Sequence, residues 1–124
     1  MQQIFLVMVG GAVGAGARFG LAQWVATRFA HSFPVATLAV NIVGCFIMGM
    51  LAAWLARSAA GEALRLFVGV GMLGGFTTFS AFSLDWWMLM ERGATGAALA
   101  YVAASVIGAL AAFALGLMLV RALT

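Results

Sequence analysis

The chain has 124 residues; 66% are hydrophobic and 7% are charged, against about 25% charged in ordinary soluble domains. Six arginines and three acids cannot cover the surface of a water-soluble globule, so lipid is the expected solvent. Scattered arginines form no nucleic-acid patch, the single Cys45 excludes an internal disulfide framework, and the single His31 excludes paired-histidine metal or relay motifs.

The first apolar stretch runs from Ile4 to Ala26. It opens Met-Gln-Gln without a cationic n-region, so a permanent span is expected rather than a signal peptide. Gly10 and Gly14 are four apart, as are Ala12, Gly16 and Gly20. Small residues at this spacing let helix backbones approach closely, within one chain or between chains. Arg18 lies roughly 12 Å from the nearer helix end. It either snorkels to the interface or lines a vestibule that attracts anions.

The second stretch, Val35 to Ala56, carries no charge. Its amide, Asn41, is costly in lipid unless paired, and Thr37 lies one turn before it. Asn41 either bonds another helix or lines a pore. Cys45 reads as a small apolar residue, and His31 as a loop residue beside the membrane.

The third stretch, Leu64 to Met90, holds Arg65 and Asp85. Near its middle stand Gly69-Val-Gly-Met-Leu-Gly-Gly75 and Phe76-Thr-Thr-Phe-Ser80. Glycines disfavour a continuous helix and hydroxyls cap a new one, which predicts a break near Gly74–Thr78. Irregular backbone at that depth must be satisfied by protein, water or ions. The carbonyls ending the first half suit a cation, and the N–H groups opening the second suit an anion. Phe79 and Phe82 share a face once the helix resumes. Such rings either pack or turn their positive edges toward an anion.

The fourth stretch, Ala97 to Val120, is uncharged. Tyr101 and Ser105 are one turn apart. With Asn41, Thr37 and Ser80 they form either a polar track or separate helix contacts. Gly108, Ala112 and Gly116 repeat the small-residue spacing. The linkers are short, so one four-helix transmembrane domain over 1–124 is expected. Arg57, Arg65 and Arg121 fall on one side of the membrane. Arg28 and Arg92 fall on the other, with Arg18 in that half. The positive-inside rule then gives little bias. The chain either inserts both ways and pairs as an antiparallel dimer, or has a topology set by something other than charge.

These residues resemble the Fluc fluoride channel family, also called CrcB, over essentially the whole chain. The motifs are GGAVGAGARFG in the first span, ATLAVNIVG in the second, GGFTTFSAFSLD in the third, and Tyr101, Ser105 and Gly108 in the fourth. The resemblance implies an all-α integral membrane protein with four transmembrane helices and a broken third, assembled as an antiparallel dual-topology homodimer. It implies passive fluoride export through two pores in a bacterial plasma membrane, with a structural sodium ion at the dimer centre. On this resemblance the sodium is held by the main-chain carbonyls of Gly75 and Thr78 of both chains. Phe79 and Phe82 face the pores, Asn41 is the pore amide, and Thr37, Ser80, Tyr101 and Ser105 supply hydroxyls. Arg18 lies near a vestibule. Three positions depart from the family pattern: Ala81 where Thr is frequent, Asp85 where Glu is usual, and Ala109 where a second Ser can follow Ser105. No nucleic acid and no organic cofactor are implied.

A small dual-topology, proton-coupled drug exporter is the alternative. It requires a titratable carboxylate deep in the first span, and none is there. A non-transporting assembly subunit is a third reading. An enzyme is not expected, since no nucleophile–base set or metal cluster is visible.

Overall fold

The computed structural model describes residues 1–29 and 32–124. The expected loop position of His31 lies outside the described residues. Four helical spans dominate, and no strand occurs among the described residues. They are α1 (Gln2–Arg28), α2 (Val35–Leu55), a composite third span (Glu62–Glu91) and a final helix, Thr95–Leu123. At 1.5 Å per residue each is long enough to cross roughly 30 Å of hydrocarbon. In lipid a helix is the only isolated segment that satisfies its own backbone. The spans read from hydropathy are recovered to within three residues at every end.

The third span is built in pieces. A short α3 (Glu62–Leu64) runs into a π-helical stretch, Arg65–Leu73, and then into α4 (Gly74–Phe76). Thr77 (φ −76°, ψ 156°) and Thr78 (φ −151°, ψ 122°) are extended. The helix resumes as α5 (Phe79–Glu91), and α6 is Thr95–Leu123. The predicted break is therefore present, at the two threonines that end the glycine-rich run. The π-helical stretch before it is wider than an α-helix because its bonds reach one residue further.

Packing follows two pairs. α1 lies along the π-helical stretch and α4, and α2 lies along α6. Apolar burial does not drive helices together in lipid, so close backbone contact must. A Cβ on Gly14 would strike the Met72 carbonyl, and one on Gly75 would sit 2.6 Å from the Gly11 carbonyl oxygen. Between α2 and α6, Gly49 abuts the Phe113 carbonyl and Gly116 abuts the Phe46 carbonyl. The small-residue pattern thus divides. Gly10, Gly14 and Gly116 serve contacts within the chain, whereas Gly16 and Gly20 meet nothing within 4 Å.

Arginines tie the two ends of the bundle. Arg57 donates to the Thr124 hydroxyl at one end, and Arg92 Nη2 donates to the Ser32 carbonyl at 2.8 Å at the other. A small core of Leu89, Ala98 and Tyr101, flanked by Phe33, Phe82 and Trp86, joins α5 to α6. It sets α5 beside the face of α2 that carries Asn41.

Candidate functional site

The break is held from outside by one side chain. Asn41 Oδ1 accepts the Thr78 N–H at 2.8 Å, and Asn41 Nδ2 donates to the Thr78 carbonyl at 2.9 Å. In a continuous helix that N–H would return to the Gly74 carbonyl. The extended backbone turns it toward α2 instead. Gly44 admits this approach, because a Cβ there would collide with Thr77 Cγ2.

The threonines finish the break. Thr77 caps the first half, its N–H and Oγ1 each donating to the Leu73 carbonyl at 3.0 Å. Thr78 opens the second half, its Oγ1 accepting the Ala81 N–H at 3.1 Å as a helix N-cap. Ser80 Oγ lies 3.2 Å from the same hydroxyl.

Beside the break a groove of about 470 Å³ is lined by Asn41, Cys45, Thr78, Phe79, Phe82 and Ser105, among others. It is open along one side. Phe79 is 77% exposed, with its ring 5.2 Å from that of Phe82. Ser105 is buried, and its Oγ has no hydrogen-bond partner.

Phe82 continues the aromatic contact to Tyr101, 5.1 Å away between ring centres. Phe33 meets the other side of the Tyr101 ring edge-on, at 5.6 Å and 90°. Tyr101 has no exposed surface. Its hydroxyl donates to Asp85 Oδ2 at 3.1 Å, with Thr37 beside it. Asp85 in turn lines a second cavity of about 440 Å³, with Ser32, Phe33, Glu91 and Arg92. The Phe82–Tyr101–Asp85 series therefore connects the groove to that cavity.

Of the residues singled out from the sequence, Asn41, Thr78, Phe79, Phe82 and Ser105 meet in the groove, with Ser80 next to Thr78. Thr37 and Tyr101 stand one step away, in the buried cluster with Asp85. Gly75 faces the α1 backbone at Gly11. Arg18 is half-buried on α1 and lines neither cavity. Sequence reasoning missed Cys45 as a groove residue, although it falls four residues after Asn41 and so on the same helix face. It also missed the partner of Tyr101. Asp85 is sixteen residues away on another helix, and no local pattern announces that pairing.

Two features bear on a cation at the break. A carbonyl oxygen has two lone pairs, so that of Thr78 can accept from Asn41 and still face an ion. Ending the first half-helix also frees its last carbonyls from intrahelical donors. Such oxygens are hard donors, suited to an alkali ion rather than a soft metal. Among the described residues no group of three or more His, Cys, Asp or Glu offers a competing site. The residues present fit a sodium ion.

Residues 5–117 match the family described as CrcB-like protein, Camphor Resistance (CrcB). A protein of Sphingopyxis alaskensis named "Fluoride-specific ion channel FluC" is 58% identical over 124 residues, covering 99% of this chain and 98% of the relative. Proteins of the same name from Mesorhizobium japonicum and Novosphingobium aromaticivorans are 50% and 49% identical. The first alignment covers 99% of each chain and the second 98% of each.

Proposed function

The chain belongs to the CrcB family, and from that premise we propose that it is a fluoride-specific channel through which fluoride leaves the cell passively, lowering its cytoplasmic toxicity. It is a multi-pass protein of a bacterial membrane, and its family is one of channels, which move an ion without transforming it. The observation that carries the reading is the groove at the helix break. An amide, an unpaired hydroxyl and two phenylalanine rings converge there on backbone that has left the helix.

The mechanism follows from what fluoride requires. The ion is small and strongly hydrated, so a path must replace its water with several donors, none strong enough to trap it. Asn41 Nδ2 keeps a second N–H after bonding Thr78. Ser105 keeps its hydroxyl proton. Phe79 and Phe82 offer ring edges, the positive part of the ring quadrupole. Past Phe82 the ion meets Tyr101, whose hydroxyl must leave Asp85 to donate to it. Thr37 and Ser80 are the remaining hydroxyls along this track, and Arg18 belongs to an outer vestibule.

The open side of the groove and the near-even arginine count support a second, inverted copy of the chain as the missing wall. Two such copies make an antiparallel homodimer with two pores. At its centre the carbonyls of Gly75 and Thr78 from both chains would hold sodium. Bound there, the ion supplies a fixed positive charge that neutralises carbonyls without helical partners. The drug-exporter reading has no support, since α1 carries no carboxylate.

Liposomes containing the purified protein and loaded with fluoride test the proposal, with an electrode following efflux. Fast fluoride release, with chloride retained in parallel vesicles, is the expected result. Retention of both ions by verified, folded protein would overturn it.

A further inference from the structure

We propose that Cys45 makes the groove a site for a soft, thiol-seeking metal ion, of which silver(I) is the simplest. Cys45 lines the same wall as Asn41, one helical turn further along α2. Its neighbour Gly44 is tight against Thr77, so the thiol is held beside the break on a fixed part of the helix. It is half-buried, which leaves a path for a small ion.

A cysteine alone would be only a packing residue. The second observation is across the groove. Ser105 is 8% exposed, and its Oγ makes no hydrogen bond. A buried hydroxyl without a partner is costly, and it marks room in the wall that no protein group fills. Soft sulfur ligands select soft monovalent metals. The hydroxyl adds an oxygen lone pair, to the metal or to a water on it. The step is a simple exchange. The Cys45 S–H bond breaks, an S–Ag bond forms, the proton goes to the buffer, and nothing is oxidised or reduced.

The consequence for transport rests on the channel reading above. The bound metal stands one turn from Asn41, in a groove shared with Phe79 and Phe82, where the donors must remain free. Fluoride flux through a silvered groove therefore stops.

The test separates binding from transport. Full-length protein in liposomes, in chloride-free buffer so that silver stays dissolved, is treated with silver nitrate and then with a maleimide. As Cys45 is the chain's single cysteine, the alkylated mass reports on it alone. Silver is expected to protect Cys45 from alkylation and to abolish most of the fluoride efflux. The Ser105→Ala variant is expected to lose that protection to a lower concentration of competing thiol. The efflux of Cys45→Ala, whatever its basal level, is expected to be the same with and without silver.

Full alkylation after silver treatment overturns the site, as does equal inhibition of Cys45→Ala. Protection without any efflux in untreated protein leaves the metal site standing and removes the channel reading instead.

Discussion

Asn41 grips Thr78 at both of its backbone polar groups, with its carbonyl oxygen on the N–H and its amide on the C=O. A side chain on α2 thereby replaces the two hydrogen bonds that the third span gives up when its helix breaks. The amide is the one uncharged side-chain group that can donate and accept in this parallel way.

Asn41→Ala leaves both Thr78 groups without that partner. An unpaired buried backbone group costs about 1–3 kcal/mol, so the melting temperature should fall and fluoride efflux should drop with it. Asn41→Asp sharpens the point. An ionised carboxylate accepts the N–H but repels the carbonyl, whereas the protonated acid can accept and donate as the amide does. Stability of this variant is therefore expected to rise as pH falls through the pKa of the introduced acid. A thermal-melt series across pH in detergent reads this directly, and a flat profile would count against the two-pronged bond.

Phe79 and Phe82 should separate in their effects. Phe79 is largely exposed, so Phe79→Ile should leave the melting temperature near wild type while slowing efflux by about tenfold or more, equivalent to about 1.4 kcal/mol on the barrier. Phe82 also packs on Tyr101, so Phe82→Ile should slow efflux and lower stability together. Unchanged flux in both variants would sink the role given to the ring edges.

Tyr101→Phe keeps the buried ring and removes the hydrogen bond to Asp85. Interhelical hydrogen bonds of this kind in membranes contribute about 0.6 kcal/mol, so a small stability change is expected with a larger change in efflux. A double-mutant cycle with Asp85→Asn checks the pairing. Strictly additive effects of the two substitutions would mean that the bond carries no weight in transport.

Gly49→Ala should destabilise the α2–α6 pair by about 1–3 kcal/mol, the usual cost of overpacking, because the added methyl meets the Phe113 carbonyl. Gly61→Ala, in the connection before α3, meets nothing within 4 Å and serves as the control. Equal melting temperatures for the two would contradict the close backbone approach.

Pairs of chains can be trapped by cross-linking. Single cysteines placed at the two ends of the bundle, on a Cys45→Ala background, should link one end of a chain to the opposite end of its partner. Links only between like ends would exclude the antiparallel dimer.

The spans were legible because lipid leaves the chain little choice: twenty or more apolar residues must be helical, and their ends lie where polarity returns. The break was legible from glycines followed by hydroxyls. Its detailed form was not. The π-helical stretch Arg65–Leu73 has no distinct periodicity, and glycines at 69 and 71 are compatible with either winding. The Asn41–Thr78 and Tyr101–Asp85 bonds join residues 37 and 16 apart on different helices. Composition can identify Asn41 as a polar group needing a partner, but only packing selects Thr78. Likewise Gly14 and Gly16 look alike in sequence, yet one is pressed on Met72 and the other faces open space. Arg18 lies away from both cavities for a related reason: the face of α1 it occupies is set by the glycines that dock on the π-helical stretch.

That stretch also constrains how the chain can change over time. An α-helix turns about 100° per residue, so a single-residue insertion or deletion between Arg65 and Leu73 would rotate everything beyond it by about that angle. Gly75 would leave the α1 backbone, and Thr78 would leave Asn41. Substitutions can accumulate on the outward face of these nine residues, but their number cannot drift, and the loops at either end of the span are where length variation can be tolerated.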